Sequence, residues 1–285
     1  MSASITIYEV SGGDGTIING SSVQAYWAGN GAVYGGGAYI AVGRDETGLQ
    51  YQAYKRFDIS SLAGKTILSA SFNWHYGYKE TDSGGPPNAI LFNVDDYGTL
   101  TTADWNWHQT HQRKNYGVVL TNATGIGWQS KDIKTELQTA ATAEETYFAF
   151  EWDIALGNED WYALGHSSTA YKAYLSVTYC STPASPTPAS AQIIDAENIR
   201  IDWTDNSSGE TQETEFRVER SVDGGAYSLF TTKNPDEIEH IDNTVGPGHT
   251  YKYRIRASNQ AGDSDWVETE TITPVAGGMQ GYMNC

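Results

Sequence analysis

The sequence predicts an all-β protein: an N-terminal jelly-roll-like β-sandwich followed by a second, smaller sandwich. Three observations predict it. Short stretches of alternating apolar and polar residues recur along the chain, separated by Gly, Asn, Asp and Ser clusters, which is the pattern of half-buried strands joined by turns. Helical periodicity is confined to one candidate, SKDIKTELQTAAT at 130–142. Residues 181–190, STPASPTPAS, hold three of the eight prolines and no large apolar side chain, so they read as a semi-extended spacer between two cores. The expected division of the 285 residues is therefore 1–180, a linker at 181–190, a domain at 191–274 and a tail at 275–285.

The elements follow in order. Ile5 and Ile7 alternate with Thr6 and Tyr8 in an immediate first strand. Further strands are expected at 22–28, 38–44, 52–59, 66–79, 89–97, 116–121, 146–153 and 173–179, a number that suits a two-sheet jelly roll or related sandwich. In the 66–79 strand, Ile67, Ala70, Phe72, Trp74 and Tyr76 take one face, and Ser69, Ser71, Asn73 and His75 the other. Phe57 and Ile59 point opposite to Arg56 and Asp58, and Asp58 is placed to cap the Ser60-Ser61 turn.

Composition narrows the function. Lys plus Arg is 17 against 35 acidic residues, and a formal charge of −18 repels phosphate backbones, so no nucleic-acid partner is expected. The charge is shared, −8 before position 181 and −10 after it, whereas 27 of 35 aromatic residues precede that position. A sticky surface is expected on the first domain. No apolar run approaches the roughly 18 to 20 residues of a spanning helix, so no membrane insertion is expected. Cys180 and Cys285 define neither a disulfide framework nor a metal-ligand spacing. The N-terminus lacks a basic start, an apolar stretch and a small-residue cleavage site, and reads as a strand in place of a secretory signal.

Reactive constellations are weak. His108 and His111, with Asp104 nearby, have the spacing of a helical metal pair, but ADWNWHQTHQRKN reads as a loop without a third ligand. Asp95-Asp96 and Glu159-Asp160 are adjacent acids that would point to opposite faces of a strand, and read as turn and solubility residues. The Gly-rich stretches lack the strand–loop–helix context of a phosphate cradle, and there is no G-x-S-x-G. The expectation is a non-enzyme with no cofactor and no metal. Among the aromatics, Trp27, Tyr34, Trp74, Tyr76, Tyr78, Trp105, Trp107 and Trp128 divide between core and a surface on which sugar rings stack. Trp105, Trp107, Trp27 and Trp128 are the glycan-binding candidates.

Two resemblances carry further. RFDISSLAGKTILSASFNWHY at 56–76, with Asn115-Tyr116-Gly117 and the closing Tyr174–Tyr179, resembles the DNRLRE family of β-sandwich modules, although the Arg-rich corner of that family is absent. The resemblance implies a carbohydrate-binding-type jelly roll without catalysis. Ile199–Trp203, Phe216–Ser221, the Asp223-Gly224-Gly225 turn and Tyr251–Asn259 resemble a fibronectin type III domain, which implies a buried Trp203 and a Tyr251 hydroxyl bonded to nearby main chain. The pair of modules resembles bacteriophage decoration or fibre proteins. That resemblance implies assembly in the host cytoplasm into a virion, contacts with other capsid or tail proteins in an oligomeric assembly, and adhesion to host-surface glycans. After Gly277-Gly278, Met279, Tyr282 and Met283 form an apolar hook suited to anchoring. The competing expectation is an extracellular carbohydrate-binding module of a secreted polysaccharide-degrading enzyme.

Overall fold

The computed structural model describes residues 2–10, 15–18, 22–24, 39–44, 50–80, 88–98, 100, 102–104, 108–121, 124–125, 127–155, 161–165, 171–187 and 189–276. Contacts divide the chain into Ser4–Thr178 and Tyr179–Cys285, Met1–Ala3 grouping with the latter.

The described strands of the first unit are β1 (Ala3–Tyr8), β2 (Gly15–Ile18), β3 (Ser22–Gln24), β4 (Tyr39–Arg44), β5 (Gln50–Asp58), β6 (Thr66–Glu80), β7 (Asn88–Val94), β8 (Gln112–Leu120), β9 (Gly127–Asp132), β10 (Tyr147–Ala155), β11 (Trp161–Gly165) and β12 (Tyr174–Cys180). Two short helices, α1 (His108–His111) and α2 (Lys134–Thr142), interrupt them. Hydrogen bonding runs in the order β1-β12-β6-β11-β4-β5-β10-β7-β8, with β9 also on β6 and the β2–β3 ribbon on β5.

That path folds back on itself. Phe72 of β6 stacks on Phe150 of β10 at 4.0 Å and 10°, although the two strands lie far apart along the ladder. Phe57, Trp74 and Trp152 complete the aromatic centre. The expected alternation of β6 is observed: Ile67, Ala70, Phe72, Trp74 and Tyr76 are all buried. Trp74 and Tyr76 are thus core, which removes them from any surface platform. Phe57 and Ile59 are buried as expected, and Asp58 Oδ1 accepts from the Ser60 amide at 3.0 Å and hydroxyl at 2.7 Å, capping the turn. These bonds hold the Asp58 carboxyl below its ordinary pKa. Asp95 and Asp96 are more than turn residues, because each pairs with an arginine: Arg113 and Arg56 respectively.

Three strands escape the alternation reading: β2, β9 and β11. In β9, GWQSKD, no residue is buried, so there is no apolar stripe to find. Part of the stretch expected as a loop is ordered otherwise. His108–His111 form one helical turn, and β8 starts at Gln112 with four exposed residues, QRKN. A polar start is tolerated because, among the described residues, β8 ends the ladder and pairs with β7 alone. The helical periodicity at 130–142 is realised as α2 from Lys134, which buries Leu137, Ala140 and Ala141. Gln138 fastens it, accepting from the Ile67 amide at 2.7 Å and donating to the Lys65 carbonyl at 3.1 Å. A buried ion pair between Glu9 and Lys55 ties the first strand's end to β5.

The second unit contains β13 (Ser190–Ile193), β14 (Ile199–Asp202), β15 (Glu215–Val222), β16 (Ser228–Lys233), β17 (Glu239–Asp242), β18 (Tyr251–Asn259), β19 (Gly262–Asp263) and β20 (Val267–Glu268). They form one sheet ordered β13-β14-β17 and another ordered β16-β15-β18-β19, with β20 also on β18. Between them lie Ile199, Ile201, Trp203, Phe216, Val218, Tyr253, Ile255 and Ala257. The five-residue connection from β15 to β16 opens on a tight turn with Asp223 at φ 51° and Gly224 at φ 73°, closed by the Gly225 amide on the Val222 carbonyl at 2.9 Å. Asp242 is fully buried and accepts from Tyr253 Oη, Arg220 Nη1, the Thr244 amide and the Thr244 hydroxyl. Burial pushes its pKa up, but those donors outweigh burial and hold it below the ordinary value.

The spacer expectation needs correction. Pro183 and Pro186 are buried, the Ser181 amide donates to the Glu210 carbonyl at 2.8 Å, and the Thr187 amide donates to the Thr204 carbonyl at 3.0 Å. Without large side chains the segment still docks, because its backbone supplies hydrogen bonds and its prolines supply apolar area.

Candidate functional site

The inward packing of alternate residues on β6 leaves Ser71, Asn73 and His75 on its outer face. Register then decides their neighbours: β9 sets Trp128 beside His75, Ser130 beside Asn73 and Asp132 beside Ser71. On β12, burial of Leu175 and Val177 turns Tyr174, Ser176 and Thr178 outward. On β1, Ser4, Thr6 and Tyr8 are exposed, and the Ser4 and Thr178 hydroxyls stand 3.3 Å apart.

Five rings gather at one end of this face. His75 stacks on Tyr171 at 4.0 Å and meets the edge of Trp128 at 5.5 Å. Trp128 meets Tyr174 at 5.3 Å, and Tyr174 lies 6.0 Å from Tyr8. Trp128 is 47% exposed, Tyr8 57% and Tyr171 40%, so the cluster is a shelf and not a core. Burial lowers the His75 pKa, keeping its ring neutral at physiological pH and the shelf apolar. The Asn73 amide bridges the ring end to the strand beyond, donating to the Ser71 hydroxyl at 3.1 Å and the Tyr174 carbonyl at 3.4 Å. A shallow groove of about 420 Å³ continues on the same face, lined by Ser69, Ser71, Ser130, Asp132, Lys134 and Ser176. Flat apolar faces followed by hydroxyl, amide and carboxylate groups offer stacking to a sugar ring and hydrogen bonds to its hydroxyls.

Of the four tryptophans singled out from the sequence, Trp128 lies on this shelf; Trp27, Trp105 and Trp107 lie outside the described residues, as do Tyr34 and the tail candidates Met279, Tyr282 and Met283. His75, Tyr171, Tyr174 and Tyr8 were missed. The outward position of His75 was legible in the β6 alternation, but its partners Trp128 and Tyr171 lie about 50 and about 100 residues away in sequence, and only the tertiary fold brings them together. A second cleft, lined by Asn93, Arg113, Lys114 and Glu136 among others, is less suited to ligands because its cations are engaged: Arg113 with Asp95 and Glu145, Lys114 with Glu136. Of the proposed histidine pair, His111 Nδ1 stands 2.8 Å from the Thr110 hydroxyl.

The second unit has its own signature. Trp203 is buried against Phe216 at 5.6 Å, and the Tyr251 hydroxyl accepts from the Gly246 amide at 2.9 Å, closing the expected tyrosine corner. Residues 194–267 match the family model described as a PBP1-like, fibronectin3-like domain. The second unit carries a fibronectin type III domain. No curated protein matches the chain. Solved structures similar to it include FN3tt, at 18% identity and a TM-score of 0.29 over 34% of this chain and 99% of that one. The FN5 domain of Drosophila Lar follows, at 16% identity and a TM-score of 0.27 over 34% of this chain and all of that one. The twitchin kinase region from C. elegans matches at 19% identity and a TM-score of 0.32 over 36% of this chain, which spans 18% of the twitchin chain.

Proposed function

We propose that the chain is a non-enzymatic glycan-binding protein whose first unit holds sugar on the Trp128 shelf and whose fibronectin type III domain serves as a structural module. The observation that supports it is the exposed cluster of Trp128, His75, Tyr171, Tyr174 and Tyr8 leading into a groove of hydroxyls and Asp132. Acidic charge on both units favours neutral or cationic glycans over phosphate- and sulfate-rich ones. Screening the full chain against immobilised bacterial-surface and plant polysaccharides tests this; the expected result is binding to a restricted glycan set that is weakened in Trp128→Ala. Absence of binding to every glycan rejects the reading.

We further propose display on a phage particle as a capsid or tail decoration or fibre component, where many copies turn weak sugar contacts into avid adhesion. Two β-sandwich modules in tandem and the apolar Met279, Tyr282 and Met283 after Gly277-Gly278 support this reading. Removing residues 275–285 is expected to abolish incorporation into particles while both units still fold; normal incorporation rejects the anchor. The alternative, a module of a secreted polysaccharide-degrading enzyme, uses the same shelf and is favoured if the neighbouring genes encode sugar utilisation.

A further inference from the structure

We propose that the fibronectin type III domain binds one calcium ion between Asp205, Glu213 and Asp236. One carboxylate oxygen from each residue lies within 4.8 Å of the others. The three come from separate stretches: Asp205 follows β14, Glu213 precedes β15, and Asp236 lies in the connection from β16 to β17. Three like charges at such distances repel one another, and among the described residues no Lys, Arg or His forms an ion pair with any of them. Lys233, which shares a surface groove with Asp236, pairs instead with Glu237.

Glu213 points specifically to a ligand. It is only 1% exposed, and its Oε2 is buried with no hydrogen-bond partner. Its Oε1 is already occupied by the Gln212 amide at 2.8 Å and the Asp236 backbone N–H at 3.2 Å. A buried carboxylate oxygen with neither donor nor cation is costly, and native structures avoid it unless an ion or water completes the site. Asp205 Oδ1 likewise accepts from the Ser207 amide at 2.8 Å, leaving Oδ2 for the ion.

The donor set selects the metal class. Carboxylate oxygens alone favour hard cations over zinc or copper, which prefer nitrogen and sulfur. Calcium at about 2.3 to 2.6 Å from its ligands places opposed oxygens roughly 5 Å apart, and it accepts an irregular shell completed by water. Magnesium requires a tighter octahedron at about 2.0 to 2.1 Å. An ion here would brace the 205–213 stretch that also holds the proline segment, since Asn206 Nδ2 donates to the Ser185 carbonyl at 2.8 Å and to Thr187 Oγ1 at 2.7 Å.

The test is calorimetric titration of the chelator-stripped full chain with calcium chloride, with unfolding followed in parallel. One site of affinity about 10⁻⁵ to 10⁻³ M is expected. Calcium at a hundredfold excess over Kd should raise the second unit's transition by about 10 °C. Asp236→Asn, an exposed position, and Glu213→Gln should each weaken binding at least about tenfold, a loss of about 1.4 kcal/mol. Absence of calcium binding, or calcium binding unchanged in Asp236→Asn, overturns the site. Equal stabilisation by magnesium chloride overturns the calcium assignment.

Discussion

Trp128→Ala tests the shelf most directly. A free tryptophan side chain offers about 250 Å², and at 47% exposure Trp128 presents about 115 Å² to a ligand. A sugar ring covering half of that buries about 60 Å² of indole, which at about 25 cal/mol per Å² amounts to about 1.5 kcal/mol. The dissociation constant for the best glycan found in the screen should therefore rise about twelvefold. Stability should fall by no more than about 1 kcal/mol, because the indole meets His75 and Tyr174 only edge-on. Val118→Ala is the control, removing a side chain of similar exposure from β8, well outside the ring cluster. Titration calorimetry gives both constants, and thermal unfolding monitors the fold. If Trp128→Ala binds as tightly as the parent while Val118→Ala weakens binding, sugar does not stack on this shelf.

Further outcomes follow from the packing. Phe72→Ala, at the centre of the Phe57, Phe150, Trp74 and Trp152 cluster, should cost the first unit about 3 to 5 kcal/mol in chemical denaturation. Asp242→Asn should cost the second unit about 2 kcal/mol, below the usual figure for a broken buried pair because Arg220 retains some solvent contact. Since the Asp242 pKa is lowered on folding, its contribution is complete above the ordinary aspartate value and lost as pH falls through the folded one, and the variant should lack that acid-side loss. His75 acts with the same sign in a higher pH window: its folded pKa lies below 6.5, the unfolded chain takes up the proton first, and stability of the first unit should decline as pH drops below about 6.5. His75→Phe should flatten that part of the pH profile.

The legible features were those in which one segment contains its own evidence. The β6 alternation identified a buried face and an outer face, and the Trp203 and Tyr251 positions carried the second sandwich, because burial of every other residue leaves a local record. Polar elements left none. β9 has no apolar stripe, yet it supplies Trp128 and Ser130, and β8 opens with QRKN because an edge strand needs only one partner. The shelf itself depends on register between strands far apart in sequence, where a shift of one residue would turn His75 or Trp128 to the other face. The acidic triad was equally hidden, since Asp205, Glu213 and Asp236 follow no motif spacing and meet through loop placement. The proline segment was misread for a related reason: its docking is made by main-chain groups, which composition does not record.

The pairing of β1 with β12 has a consequence for biosynthesis. The sheet that begins at Ala3 takes as its neighbour a strand that ends at Cys180, and the Glu9 amide bonds the Ala173 carbonyl. During translation the first strand must wait until about 170 further residues have been synthesised before its partner exists. Such long-range closure slows folding and leaves an unpaired strand edge exposed in the nascent chain. The second sandwich, by contrast, can close within about ninety residues of its own synthesis. Recombinant yield should therefore be limited by the first unit, and slower translation or lower temperature should raise the soluble fraction of the whole chain more than that of residues 179–285 alone.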